Sequence, residues 1–250
     1  MFRLIAVLAV VFVTGCATTT VREHPELESR LHQIESVVIA PAAVSIQQIN
    51  FTGENEQLVE MEESIRAELM QLAKVQLEER GYEVIDFDFD SAIAEDEDLA
   101  YTITQVREEF GEAKSKLYQR YVVPEDEKRS IQASVGTAVN MVSERSGADA
   151  VLLMHYTGAK KSAGSVAKDV AVSVMVTLLT GSTPVSNSES SYVEVAFIDG
   201  VTGDVIWTNI LNSPQLSSGV ASVAFKTLPE DIDPIAMETN IEPNLEANVE

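Results

Sequence analysis

The sequence predicts an α/β protein, a small mixed β-sheet flanked by helices. Three observations carry this. Short β-branched runs recur along the chain, as at Ser36–Ala40 and Val151–Met154. Long apolar stripes at helical spacing lie between them, as at Met61–Leu77 and Leu99–Tyr121. Two alternating segments, Tyr192–Asp199 and Asp204–Asn209, flank Gly200-Val201-Thr202-Gly203, which reads as a hairpin turn.

The elements follow in order. Ser36–Ala40 is "SVVIA", a buried strand closed by Pro41, and Val44–Ile49 extends it after a bend. A helix is expected from Gln57 to Arg80, with Met61, Ile65, Leu69, Leu72, Ala73 and Leu77 on its apolar face. Glu62 and Arg66 are expected outside, as an i,i+4 pair. Gly81 terminates that helix, and Tyr82–Phe87 alternates into a strand. Leu99, Ile103, Val106, Phe110, Ala113, Leu117 and Tyr121 step by 4, 3, 4, 3, 4 and 4, a second amphipathic helix broken by Pro124. Ile131, Val135, Ala138 and Val142 predict a third, ended by Gly147. Val151–Met154 is apolar throughout, as a central strand buried on both faces would be. Residues 164–180 fit two periods. Val170, Val172, Val174 and Val176 alternate like a strand, whereas Val166, Val170, Val174 and Leu178 step by four like a helix; helix is the reading adopted. A short helix is expected within Gln215–Leu228.

Charge excludes whole classes of function. The chain has 250 residues, with 40 acidic against 17 basic side chains and a net charge of −23. No basic face is available for phosphates, so nucleic acid is not an expected partner. Hydrophobic content of 45% allows a substantial core, and aromatics at 6% make it aliphatic. Residues 229–250 carry seven acids, no bases and three prolines, which predicts an acidic disordered tail.

The N-terminus carries the strongest motif. After Met1-Phe2-Arg3, Leu4–Val13 is continuously apolar but too short for a spanning helix, which needs about 20 residues. It has the length of a secretory signal's apolar region. Val13-Thr14-Gly15-Cys16 then resembles the lipobox of bacterial lipoproteins. The resemblance implies a signal peptide over 1–15 and acylation of Cys16. Ala17 at the next position implies delivery to the outer membrane, facing the periplasm. Cys16 is the sole cysteine, so no intramolecular disulfide can form. Residues 16–35 are expected to be the lipidated N-terminus and tether, although Leu27, Leu31 and Ile34 hint at a short helix. Residues 36–228 are expected to form one α/β domain with an apolar insert at 164–180.

"DFDFDSAIAEDE", Asp86–Glu97, has much of the EF-hand spacing. Yet Gly81 ends the helix before it, Tyr82-Glu83-Val84-Ile85 favours a strand, and Ser91 stands where the loop needs Gly. The acids read better as outward residues on a strand end (Asp86, Asp88, Asp90) and as anions at a helix start (Glu95–Asp98). No metal site and no cofactor are expected. His24 and His32 fall in the tether. His155 follows the buried run and reads as a structural histidine. No P-loop, G-x-S-x-G or G-x-G-x-x-G is present, so no catalytic residue is nominated.

"VVIAP", "LEERGYEVI", "GADAVLLM" and "VAFIDGVTGDVIWTN" together resemble the small α/β domain of the TolB N-terminal part, the curli-secretion lipoprotein CsgG and the lipoprotein activators of penicillin-binding proteins. The resemblance implies a non-catalytic binding or assembly role in the cell envelope. The alternatives are an oligomeric subunit of a curli-type secretion apparatus, or a weakly cation-binding or enzymatic envelope protein. Besides Cys16, the candidate interaction residues are Val170, Val174 and Leu178, facing an envelope protein, a second copy or the membrane surface.

Overall fold

The structure is a computed structural model that describes residues 18–118, 132–180 and 187–230. Residues 1–17, with Cys16 and the stretch read as a signal peptide, and residues 231–250, in the stretch read as an acidic tail, lie outside the described residues. One sheet of eight strands organises what is described. The central strand is β6 (Ala150–Lys161). β7 (Glu189–Asp199) and β8 (Val205–Ser213) follow it as an antiparallel meander. β1 (Thr18–Glu23) closes that edge on β8. On the other side of β6 lie β2 (Ser36–Ile39) and, beyond it, β5 (Glu83–Ile85), both parallel.

β3 (Ala43–Ile49) continues β2 along the same neighbour. Ile39 pairs with Leu152 and Ala43 with His155, so Ala40-Pro41-Ala42 faces only Leu153 and Met154. That extra residue is a bulge. Pro41 sits where its missing N–H does least harm. β4 (Asn55–Gln57) pairs with the end of β3. The expected bend between two strand segments is therefore present.

Two cores form because strand side chains alternate. Val37, Leu152 and Phe197 point to the face covered by α1 (Leu27–Leu31), α2 (Val59–Glu78) and α7 (Ala221–Phe225). Val38, Val151 and Ile198 point to the face covered by α3 (Phe89–Glu95), α4 (Glu97–Leu117) and α5 (Ala138–Ser146). Each fully buried Leu or Ile contributes about 1.5–3 kcal/mol, so the stripes on α2 and α4 hold the layers together. α6 (Ala163–Thr180) leaves the end of β6 and is helical, the reading adopted from its four-residue steps. The α/β fold class of the sequence is what the structure has.

Several local expectations need correction. Of the residues read as a tether, 18–35 are part of the fold. Thr18-Thr19-Thr20-Val21 is β-branched, and it pairs with β8 from Thr18↔Asn212 to Glu23↔Trp207. Leu31 and Ile34 are buried behind it, and Arg30 ion-pairs with Asp199 at 3.2 Å and Asp204 at 2.9 Å. Glu62 is not on the outside of α2 but buried. β5 stops at Ile85, and the DFDFD stretch turns into α3 instead of extending the strand. Asp88 is its N-cap and accepts hydrogen bonds from Ser91 N–H at 3.0 Å and Ser91 Oγ at 2.6 Å. Glu97 and Asp98 lie in the first turn of α4 as expected, with Asp96 as N-cap. Tyr121 and Ile131, read as the ends of two stripes, fall outside the described residues. α5 begins only at Ala138, because Ser134 and Val135 run beside the β7–β8 turn, where Val135 N–H donates to Gly203 O at 2.8 Å. Gly203 has φ +75°, and a Cβ there would lie 1.9 Å from Gly136 O. Only glycine fits that crossing.

Candidate functional site

The β6–β7 ladder sets His155 directly opposite Glu194. In "YVEVAFI", Glu194 shares its face with Tyr192, Ala196 and Ile198, so it points toward α4. On α4, Lys114 lies one turn after Phe110 and reaches the same place. Lys114 Nζ donates to Glu194 Oε2 at 3.0 Å. His155 Nδ1 lies 3.8 Å from the same oxygen, and its Nε2 is 3.3 Å from Thr157 Oγ1. The Glu194 side chain is only 2% exposed, and its Oε1 has no hydrogen-bond partner among the described residues.

Charge reaches this carboxylate from one side only. Tyr192 lies two residues before Glu194 on the same face of β7. Burial first, and then the Glu194 charge, push its hydroxyl pKa far above the usual range. Burial does the same to Tyr118, with the Glu194 charge adding to it. Lys114 Nζ lies 5.7 Å from the Tyr192 ring centroid.

Two arginines converge at the nearby bulge. Arg107 of α4 donates to Pro41 O, and Arg66 Nε of α2 donates to Ala42 O at 3.2 Å. Neither is ion-paired among the described residues. Burial, and second the like charge of Arg66, push the Arg107 pKa below the usual arginine value.

Arg107, Lys114, His155 and Glu194 line a cavity of about 210 Å³, with Phe110 and Leu153 among its apolar walls. It opens at the carboxyl end of β2, where the parallel order β5-β2-β6 reverses direction. Crevices at such points are where α/β sheets take ligands. The lining offers three cationic or protonatable groups, a carboxylate with a free acceptor, and an apolar wall. It offers no hydroxyl or thiol nucleophile. The arrangement suits binding of a small polar molecule that both accepts and donates hydrogen bonds. Among the described residues no group of three or more His, Cys, Asp or Glu could hold a metal ion.

The sequence did not nominate this cluster. His155 was read as a structural histidine ending a buried run, but β6 continues six residues past it and its side chain is 44% exposed. One signal was visible: Glu194 interrupts the otherwise uncharged run Tyr192–Ile198.

The residues that were nominated lie elsewhere. Cys16 is outside the described residues. Val170 is on α6 and 57% exposed. Val174 and Leu178 belong to the same helix, and their side chains are not among those described. No helix among the described residues is long and apolar enough to cross a membrane.

No known protein family and no curated protein matches this chain. Among solved structures, the PelC dodecamer from Paraburkholderia phytofirmans in space group P6 aligns over 84% of this chain and 92% of PelC, with 13% identity and a TM-score of 0.32. A single-substitution variant of that dodecamer aligns over 85% and 91%, with 14% identity and a TM-score of 0.29. Likeness at this level does not extend PelC's assembly to this chain.

Proposed function

We propose that this chain is a lipid-anchored outer-membrane protein facing the periplasm, with a non-catalytic binding or assembly role in the envelope. The observation that carries it is Val13-Thr14-Gly15-Cys16, with the chain's only cysteine placed two residues before the first strand. Small residues ahead of the thiol suit a signal peptidase, and the thiol is the group that takes the lipid. Several acyl chains give stable anchoring where one does not. The binding role falls to the cavity at Arg107, Lys114, His155 and Glu194.

Mass spectrometry of the mature chain tests this. A diacylglyceryl-modified N-terminal Cys16, and flotation with outer-membrane fractions, are the expected results. Cys16→Ser should abolish both. A free thiol at Cys16 in native material would refute the anchoring. A second reading, an oligomeric secretion subunit, draws on the exposed apolar surface of α6. Sedimentation of the detergent-solubilised chain separates the two: a ring-sized particle favours the subunit, a monomer the adaptor.

A further inference from the structure

We propose that α6 is a membrane wedge, its uncharged C-terminal half embedded in the leaflet that holds the Cys16 lipid. The proposal rests on the lipid-anchored reading above. It commits to a lipid surface as the occupant of α6.

Strand register supplies the geometry. Thr18 pairs with Asn212, Asn212 with Tyr192, and Tyr192 with Thr157. This row crosses the sheet from β1 to β6 in three steps, about 14 Å at the usual strand spacing. β1 enters the row from the same end at which β6 leaves it. Thr18 follows Cys16 by two positions, so the two Cα atoms lie at most about 7 Å apart. β6 runs four residues beyond Thr157, to Lys161, which is about 13 Å farther toward that end. A lipid on Cys16 therefore holds the membrane at the same end of the sheet from which α6 leaves.

The start of α6 is fixed there. Ser162 N–H and Ser165 Oγ both donate to Ile49 O at 3.0 Å, and Lys161 pairs with Asp169 at 2.5 Å. Lys168 Nζ lies 5.0 Å from the Phe51 ring centroid.

The chemistry of α6 matches lipid better than water. After Asp169, the eleven residues Val170–Thr180 carry no charge. As helix they span about 16 Å, close to the half-thickness of a bilayer core of about 30 Å. Val170 and Val172 are 57% and 51% exposed, although about 200° apart around the axis, and Met175 is 65% exposed. A one-sided helix packed on its own sheet would not expose apolar residues on opposite sides. Phe51, 60% exposed beside the first turns, adds apolar surface at this end. A net charge of −23 repels anionic headgroups, so zwitterionic lipid is the expected host.

The test uses the mature, lipidated full chain in phosphatidylethanolamine–phosphatidylcholine vesicles. Cys16 carries its lipid as a thioether, so an introduced cysteine is the only free thiol. Met175→Cys and Val201→Cys each receive an environment-sensitive fluorophore. Val201 is 73% exposed on the β7–β8 turn, at the opposite end of the sheet. Both positions are exposed, and circular dichroism checks that each variant is folded. The expected result is a blue-shifted Met175 probe that loses more than half its emission to chain-brominated lipid, and an unquenched Val201 probe. Equal quenching at the two positions overturns the proposal, whether water or a second copy then covers α6. Mass spectrometry of the same samples separates the failures. Unlipidated Cys16 overturns the anchor, whereas lipidated Cys16 with an unquenched Met175 probe overturns only the wedge.

Discussion

Glu62 Oε1 accepts the backbone N–H of Ile46 at 2.8 Å, tying the first turn of α2 to the middle of β3. The N–H needs this partner because β4 pairs with β3 only from Gln47 onward. Gln57 Nε2 donates to both carboxylate oxygens, at 3.1 and 2.9 Å. Glu62 thus extends the sheet edge with a side chain where the strand is too short.

Glu62→Ala strands a buried N–H, and the expected loss is about 2 kcal/mol. Glu62→Gln keeps an acceptor for Ile46 and should lose clearly less. Urea denaturation of the two variants measures this. Equal losses would show that the acceptor is not what matters.

Lys114 and Glu194 make a second ordered test. Glu194 is nearly fully buried, while Lys114 keeps 30% of its side-chain surface. Removing one partner of a fully buried pair costs about 3–5 kcal/mol, and the partial exposure of Lys114 reduces the expectation for Lys114→Met to about 2 kcal/mol. Lys114→Met combined with Glu194→Leu should recover most of that loss, because no charge is then left unpaired. If the double variant is as unstable as the sum of the singles, the two side chains are not coupled.

These residues show where sequence reading stopped. The helix stripes, the central strand and the hairpin were legible because hydrophobic periodicity reports burial directly. Leu99 to Leu117 and Val151 to Met154 needed no tertiary information. Glu62 was misplaced because its i,i+4 partner Arg66 offered a local explanation, while the decisive acceptor demand came from β3. Glu194 and Lys114 are 80 positions apart, and only the β6–β7 register and the α4 packing bring them together. Thr18–Val21 had strand composition, but its pairing partner lies at the far end of the chain. Polar signals are long-range, and one chain's periodicity does not encode them.

Two half-buried tyrosines set an alkaline limit on stability. Burial is the largest cause in raising the pKa of both Tyr118 and Tyr192. An unfolded tyrosine ionises near pH 10, while the folded one keeps its proton. Above about pH 10 the unfolded state therefore binds fewer protons, and stability falls as pH rises. Below that pH the contribution is fully present. Melting temperatures taken on either side of it should drop on the alkaline side. Tyr192→Phe should flatten that drop, and an unchanged slope would sink the assignment.

The acidic stretch Asp86–Glu97 gives the last prediction. A calcium loop needs its carboxylates to converge from an irregular backbone. Here α3 occupies Phe89–Glu95, in the middle of the twelve residues. Asp88 is committed to Ser91 N–H and Oγ, and those hydrogen bonds hold its pKa below the usual carboxylate value. Asp96 accepts from Asp98 N–H at 3.0 Å and pairs with Arg145. Phe87 and Phe89 stack edge to face, with centroids 4.8 Å apart, and fix the entry to the helix. Closing the stretch around an ion would break both caps and melt α3. Titration calorimetry should therefore show no saturable calcium site tighter than about 10⁻⁴ M, the strong end of weak extracellular sites. The melting temperature should also be the same with and without calcium below that level. A stoichiometric micromolar site, lost in Asp86→Ala and Glu97→Ala, would mean that the capping arrangement gives way to the ion.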